Sequence, residues 1–135
     1  IALLNIGLEE NKGNDLTRST YDLLKKYVKN FIGNIESRYI MEGNADVIIC
    51  DGFTGNIVLK EAEAFYKLIK KRGIEDKYFN RFNYESYGGS PILGLKKPVI
   101  IGHGISNEVA IKNMILLTKD VIDAKLINKI TNLME

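Results

Sequence analysis

Short apolar runs that give way to polar loops and then to helical patterns dominate this chain, and that alternation most restricts how it can fold. IALLNI (1–6), NFIGNI (30–35), DVIIC (46–50) and PVIIG (98–102) read as strands. DVIIC is apolar throughout, as a strand covered on both faces must be. DLTRSTYDLLKKYV (15–28) places Leu16, Leu23, Leu24 and Val28 near helical spacing. ESRYIMEG (36–43) reads as a short helix closed by Gly43, and IVLKEAEAFYKLIKK (57–71) as a longer one. Residues 72–86 are mixed, YGGSPILGL (87–95) is turn-rich, and a long C-terminal helix, whole or broken, follows GHGISN (102–107). Strands alternating with helices predict an α/β fold with a largely parallel sheet covered on both faces. Ligands in such sheets bind at the carboxyl ends of the strands. The Gly/Asn-rich loops all follow strands, so they are expected to gather on one edge.

Composition narrows the classes. The chain has 135 residues, 45% of them apolar, enough for one domain or a large piece of one. It holds no run of about 18 apolar residues, so no segment is expected to span a membrane, and no secretion-signal pattern is present. Nineteen basic against 17 acidic residues leave a formal charge of +2, too balanced to argue for nucleic acid. Cys50 is the only cysteine, which excludes an internal disulfide and a cysteine zinc cluster and fits a reducing cytoplasm. The first six residues already read as a buried strand, so the chain is expected to be part of a longer protein that supplies the rest of the site.

Several loops carry candidate chemistry. In DGFTGN (51–56) a strand ends at Asp51, glycines 52 and 55 bracket Phe53 and Thr54, and a helix is expected to follow. Glycine allows close backbone approach, and a helix N-terminus suits phosphate. Asn56 is expected at or near the helix cap, serving either the backbone or a substrate. The other reading is a tight strand-to-helix turn. The segment is not a P-loop, because the Lys-Ser/Thr pair and its spacing are absent. In EENKGN (9–14), Lys12 precedes Gly13 at the top of a strand; it either holds phosphate or an oxyanion or is a solvated loop lysine, with Glu9 or Glu10 available to pair with it. His103, the only histidine, lies between two glycines and reads as a phosphate or acid/base group or as a loop residue bonded to backbone. No Ser–His or Cys–His arrangement is evident, and no metal-ligand spacing. YGGSPILG lines a substrate tunnel or makes a turn, and Cys50 is expected to be packed.

Taken together and in order, LLNIGLEENKGNDLT, NFIGNIE, ADVIICDGFTGNIVLK, YESYGGSPILGL and PVIIGHGISNEVAIKN resemble the signature segments of bacterial phosphate acyltransferases of phospholipid synthesis. The resemblance covers nearly the whole chain. It implies a three-layer α/β sandwich similar to phosphotransacetylases and isopropylmalate-dehydrogenase-like enzymes. It implies a reaction in which acyl carrier protein thioester and inorganic phosphate give acyl phosphate and free carrier protein. A downstream glycerol-phosphate acyltransferase would use the product. It also implies a cytoplasmic homodimer with peripheral membrane contact, and it calls for no cofactor and no metal. The family's catalytic lysine and asparagine match Lys12 and Asn56. Gly13, Asn14, Asp51, Gly52, Thr54, Gly55, His103 and Gly104 are the expected phosphate- and substrate-binding residues.

Two departures stand out. The family's N-terminal half is absent, so the chain reads as the C-terminal part of one catalytic domain and is expected to be inactive alone. The family's projecting amphipathic hairpin is reduced to RGIEDKYFNRFNYES (72–86): either this member lacks the hairpin or residues are missing near 72–80, and the abrupt join at Arg72 to Glu75 favours the second. Lys67, Lys70, Lys71 and Arg72 just before it would meet acidic carrier protein or anionic lipid, or form a solvated face. The rival readings are an acyl-CoA:phosphate transferase of the phosphotransacetylase type, a non-catalytic membrane-associated scaffold, and a nucleotide-binding dehydrogenase-like domain. The last lacks Gly-x-Gly-x-x-Gly after a strand.

Overall fold

The structure is a computed structural model and describes residues 1–134. The chain falls into two compact units, Ile1–Glu61 and the residues from Ala62 on.

In the first unit, strands β1 (Ala2–Asn5), β2 (Asn34–Glu36) and β3 (Ile48–Ile49) form a parallel sheet in the order β2-β1-β3. Leu4 pairs with Ile35 and Leu3 with Ile49 across the two ladders. Central β1 is buried along its whole length, which is why its residues are small and apolar up to Asn5. Ala2, Leu4 and Ile35 form the core, with Tyr39, Ile40, Ala45, Ile48 and Val58 packed against it. The α/β class and the parallel sheet read from the sequence are therefore present. Strand β2 begins later than expected, because Gly33 at φ +99° interrupts the extended chain and Phe31 packs edge-on against Tyr21 instead.

Helix α1 (Asp15–Tyr27) begins at Asn14, whose side chain accepts a hydrogen bond from the Thr17 amide. Asp15 in its first turn and Lys25 and Lys26 in its last complement the helix dipole. A 3₁₀ turn over Ser37–Glu42 stops at Gly43, as expected, and Gly43 is left-handed. Helix α2 (Gly52–Lys71) starts five residues earlier than the sequence suggests. The reason is Asp51. Its carboxylate accepts from the Thr54 amide and the Thr54 hydroxyl, and its carbonyl accepts from the Gly55 amide, so the turn after β3 is already helical. At the other end the Gly73 amide bonds to Lys70 and the Ile74 amide to Ile69, with Gly73 at φ +71°. This is a Schellman closure, and the chain runs on through 74–78 from a properly capped helix.

The second unit holds a 3₁₀ turn (Phe79–Phe82), α3 (Tyr84–Tyr87), β4 (Gly89–Pro91), β5 (Ile100–Gly102), α4 (Glu108–Asp123) and α5 (Leu126–Met134). Here the sequence-based expectation is corrected. The fourth apolar run does not join the parallel sheet; as β5 it pairs antiparallel with β4. Two short strands separated by only eight residues can close as a hairpin, whereas a parallel partner requires a longer crossover connection. The long C-terminal helix is broken, with Lys125 at φ +51° between α4 and α5. Gly88 and Gly89 explain the YGG motif: a Cβ on Gly88 would lie 2.6 Å from the Ala110 carbonyl oxygen of α4, and one on Gly89 2.5 Å from the Ile101 carbonyl oxygen of β5. They are places where backbone lies on backbone. No helix among the described residues is long and apolar enough to cross a membrane.

Candidate active site

Parallel pairing puts the carboxyl ends of β1 and β3 side by side, so the loop after β1 and the start of α2 share one sheet edge. Lys12 belongs to the first and Asn56 to the second.

Two buried amides support the β1 loop. Asn5 closes β1 and Asn34 opens β2; they are 9% and 8% exposed. Asn5 Nδ2 donates to the Lys12 carbonyl at 3.1 Å and to Asn34 Oδ1 at 3.2 Å. Asn5 Oδ1 accepts from the Ile6 amide, and Asn34 Nδ2 donates to the Glu9 carbonyl at 2.8 Å. The Lys12 amide donates to the Glu9 carbonyl, closing a turn. Gly13 has φ +89°, and a Cβ there would overlap Asn5 Oδ1 and Thr17 Oγ1. Glycine after the lysine thus lets the loop lie on Asn5. The Lys12 ammonium is half exposed and stands 3.8 Å from a Glu9 carboxylate oxygen. Glu10 has other partners. It accepts from Lys25 at 2.7 Å and from Tyr21, and the Lys25 bond in particular holds its carboxyl below the ordinary range. Burial and the same Glu10 contact push the Tyr21 hydroxyl up.

At the β3 edge, Asp51 spends both carboxylate oxygens on Thr54. The hydrogen bond from the Thr54 hydroxyl, then that from its amide, lowers the Asp51 pKa. Asn56 is the fifth residue of α2 rather than its cap; it is exposed and makes no side-chain hydrogen bond among the described residues. Its amide is therefore available to a ligand. Nothing lies within 4 Å of a Cβ added to Gly52, while one on Gly55 would stand 3.0 Å from Cys50 Sγ. Cys50 is exposed, which corrects the expectation of a packed thiol: β3, an edge strand of two paired residues, ends at Ile49 and leaves Cys50 just beyond the sheet. Partial desolvation, then the neighbouring Asp51 charge, raises the Cys50 pKa, the opposite of an activated thiolate. Of the expected binding residues here, Asn14 and Thr54 use their side chains on helix starts, and the backbone of Gly13 sets the loop geometry.

His103 belongs to the second unit and follows β5, so its loop is attached to the hairpin and not to the parallel sheet. Its Nε2 stands 3.3 Å from Glu63 Oε1, and its ring lies 4.9 Å from that of Tyr84. Its carbonyl accepts from the Ser106 amide and hydroxyl, folding the loop into a turn. Gly104 has no atom within 4 Å of an added Cβ. Asn107 caps α4 and donates to Glu85 at 2.8 Å. An open cleft of about 500 Å³ in this unit is lined by Glu63, Lys67, Lys70, Tyr84 and Ile105, among others. Lys70 is ion-paired with Glu75 at 2.6 Å.

The residues that sequence reasoning missed are Asn5 and Asn34 in the first unit and Glu63 and Tyr84 in the second. The first pair did leave a signal. An asparagine inside each of two apolar strands, LLNI and IGNI, must find partners when buried.

The family described as fatty acid synthesis protein matches residues 1–129. A phosphate acyltransferase from Brevibacillus brevis is 42% identical over 135 residues, covering 86% of this chain and 40% of the relative. One from Desulfitobacterium hafniense is 42% identical over 151 residues, covering 96% and 45%. One from Bacillus cytotoxicus is 36% identical over 154 residues, covering 100% of this chain and 47% of the relative. The chain thus spans less than half the length of these relatives. The last two matches are longer than the chain itself, so those relatives carry residues in this region that have no counterpart here. These matches bear out the resemblance of the ordered motifs.

Proposed function

The chain belongs to the fatty acid synthesis protein family, alongside relatives named phosphate acyltransferase, and on that premise we propose that it carries half of an active site that transfers an acyl group to inorganic phosphate. The acyl donor is acyl carrier protein thioester, and the product, an acyl phosphate, feeds a glycerol-phosphate acyltransferase. The protein acts as a cytoplasmic homodimer that touches the membrane peripherally.

The observation that carries the reading is the presence of two exposed polar groups on one sheet edge, a lysine in a long ion pair and an amide with no side-chain hydrogen bond among the described residues. Lys12 stands on a braced loop after β1, and Asn56 offers a free amide near the start of α2. A phosphate oxygen attacks the thioester carbon, and the C–S bond breaks as the tetrahedral intermediate collapses. The thiolate leaves with the carrier protein and takes a proton from solvent. Charge develops on the carbonyl oxygen in the intermediate, and preorganised donors such as an ammonium and an amide stabilise it. The helix start at Gly52 favours an anion nearby. Phosphate is itself the nucleophile, so no acyl-enzyme is needed and the raised pKa of Cys50 is no obstacle.

The test uses the full-length protein with labelled phosphate, long-chain acyl carrier protein and, in parallel, acyl-CoA. Label in acyl phosphate only with the carrier protein is the expected result. Label only with acyl-CoA would make the donor a CoA thioester, and label with neither would leave a scaffold. Lys12→Ala is expected to lower the rate about 100- to 1,000-fold; a rate within about threefold of wild type would end its catalytic assignment.

A further inference from the structure

We propose that Asn5 and Asn34 are a positioning pair that sets the Lys12 loop, and through it the place of the Lys12 ammonium during the reaction. The inference rests on the catalytic reading of Lys12 above.

Residues 8–12 are exposed, and little apolar packing is available to fix them. Their order comes instead from backbone bonds to two buried side chains. Ile6, Glu9 and Lys12, at every third position, are tied down by the Asn5 carbonyl oxygen, the Asn34 amide and the Asn5 amide in turn. The two amides are tied to each other at 3.2 Å. Both donors and the acceptor of Asn5 are thereby used, and no other side chain of that size supplies two donors and an acceptor in one plane. The Lys12 side chain is half exposed and held only by a 3.8 Å ion pair with Glu9. Its backbone is thus the part that the fold controls, and Glu9 is held by the same pair. An oxyanion donor is effective only when its place is fixed before the charge develops. Gly13 seals the arrangement, because any Cβ there would strike Asn5 Oδ1. The pair acts through Lys12 and touches no reacting atom.

A merely structural role and a positioning role separate in a double-mutant cycle on the full-length protein. Asn5→Ala, Lys12→Ala and the double variant would be assayed for kcat and for KM with phosphate and acyl carrier protein. Asn5→Ala is expected to lower kcat about 10- to 100-fold, as displacement of a catalytic group does, with KM for phosphate within about threefold. In the Lys12→Ala background the same change is expected to cost less than about twofold, because the group it positions is gone. An equal loss in both backgrounds, or a kcat within about threefold of wild type for Asn5→Ala, would overturn the inference. If Asn5→Ala fails to fold, Asn34→Ala replaces it in the same cycle. That variant frees Glu9 but leaves Asn5 bonded to Lys12, so the expected loss is smaller, about 3- to 10-fold, and equally non-additive. Full activity of Lys12→Ala alone would instead refute the reading on which the pair depends, a result visible before any asparagine is changed.

Discussion

Replacing Gly88 by alanine tests the account of the YGG motif. Gly88 has φ 73° and ψ −38°, a region outside even the left-handed well. Holding an L-residue there costs about 1–3 kcal/mol. The added methyl would also lie 2.6 Å from the Ala110 carbonyl oxygen and from the Asn113 carbonyl carbon, and closer still to the Met114 amide nitrogen. These are backbone atoms of α4 and cannot swing away as a side-chain tip does. Forcing a methyl into such a contact adds about 1–3 kcal/mol. The combined penalty of about 2–6 kcal/mol is a large share of the roughly 5–15 kcal/mol by which domains are stable. Gly104→Ala is the control, since nothing lies within 4 Å of its Cβ and its φ is not positive; it should change stability by less than about 0.5 kcal/mol. Thermal melts of the two full-length variants, with amide exchange followed along α4, make the comparison. Gly88→Ala should melt roughly 5 °C or more below Gly104→Ala, with α4 losing protection. If the two melt within about 2 °C of each other, the close backbone contact is not what the glycine serves.

Two further outcomes follow from the β3 edge. Asn56→Ala should leave stability unchanged or raise it by up to about 0.7 kcal/mol, because alanine is the better helix former and no side-chain bond is lost, while the rate of acyl phosphate formation falls about 100-fold; parallel denaturation and rate measurements would show the two moving apart. The Asp51 pKa is lowered in the folded protein, chiefly by the Thr54 hydroxyl. Its contribution is therefore complete above the unfolded pKa and lost as pH falls through the folded one. Amide exchange in the first turn of α2, corrected for its intrinsic rate, should lose protection as pH falls below the ordinary Asp value of about 3.9. Asp51→Asn should remove that dependence; an unchanged acid transition in the variant would assign it to another group.

Much of this molecule was legible in local pattern. The apolar run of β1, the helical spacing over 15–28 and the stop at Gly43 concern residues within a few positions of one another, and the structure keeps them. Lys12 and Asn56 were readable as candidates because each lies next to glycine at the end of a strand. The early start of α2 was less so. Two glycines argue against a helix, and only the grip of Asp51 on Thr54 reverses that.

Tertiary structure decided what depends on distant partners. PVIIG has the composition of a central strand, yet the nearby β4 captures it as a hairpin. Gly88 looks like any turn glycine until α4, some 20 residues on, proves to lie against it. Asn5 and Asn34 are separated by 29 residues, and nothing in either strand alone says that the other will meet it. The α/β class and the chemical groups at the strand ends were legible in short-range pattern, and the family in the resemblance of the ordered motifs, because each depends on residues near one another along the chain. Which groups brace Lys12, which glycines are steric necessities and which strands pair were settled only by folding, because a buried polar group or a close backbone contact is defined by what packs against it.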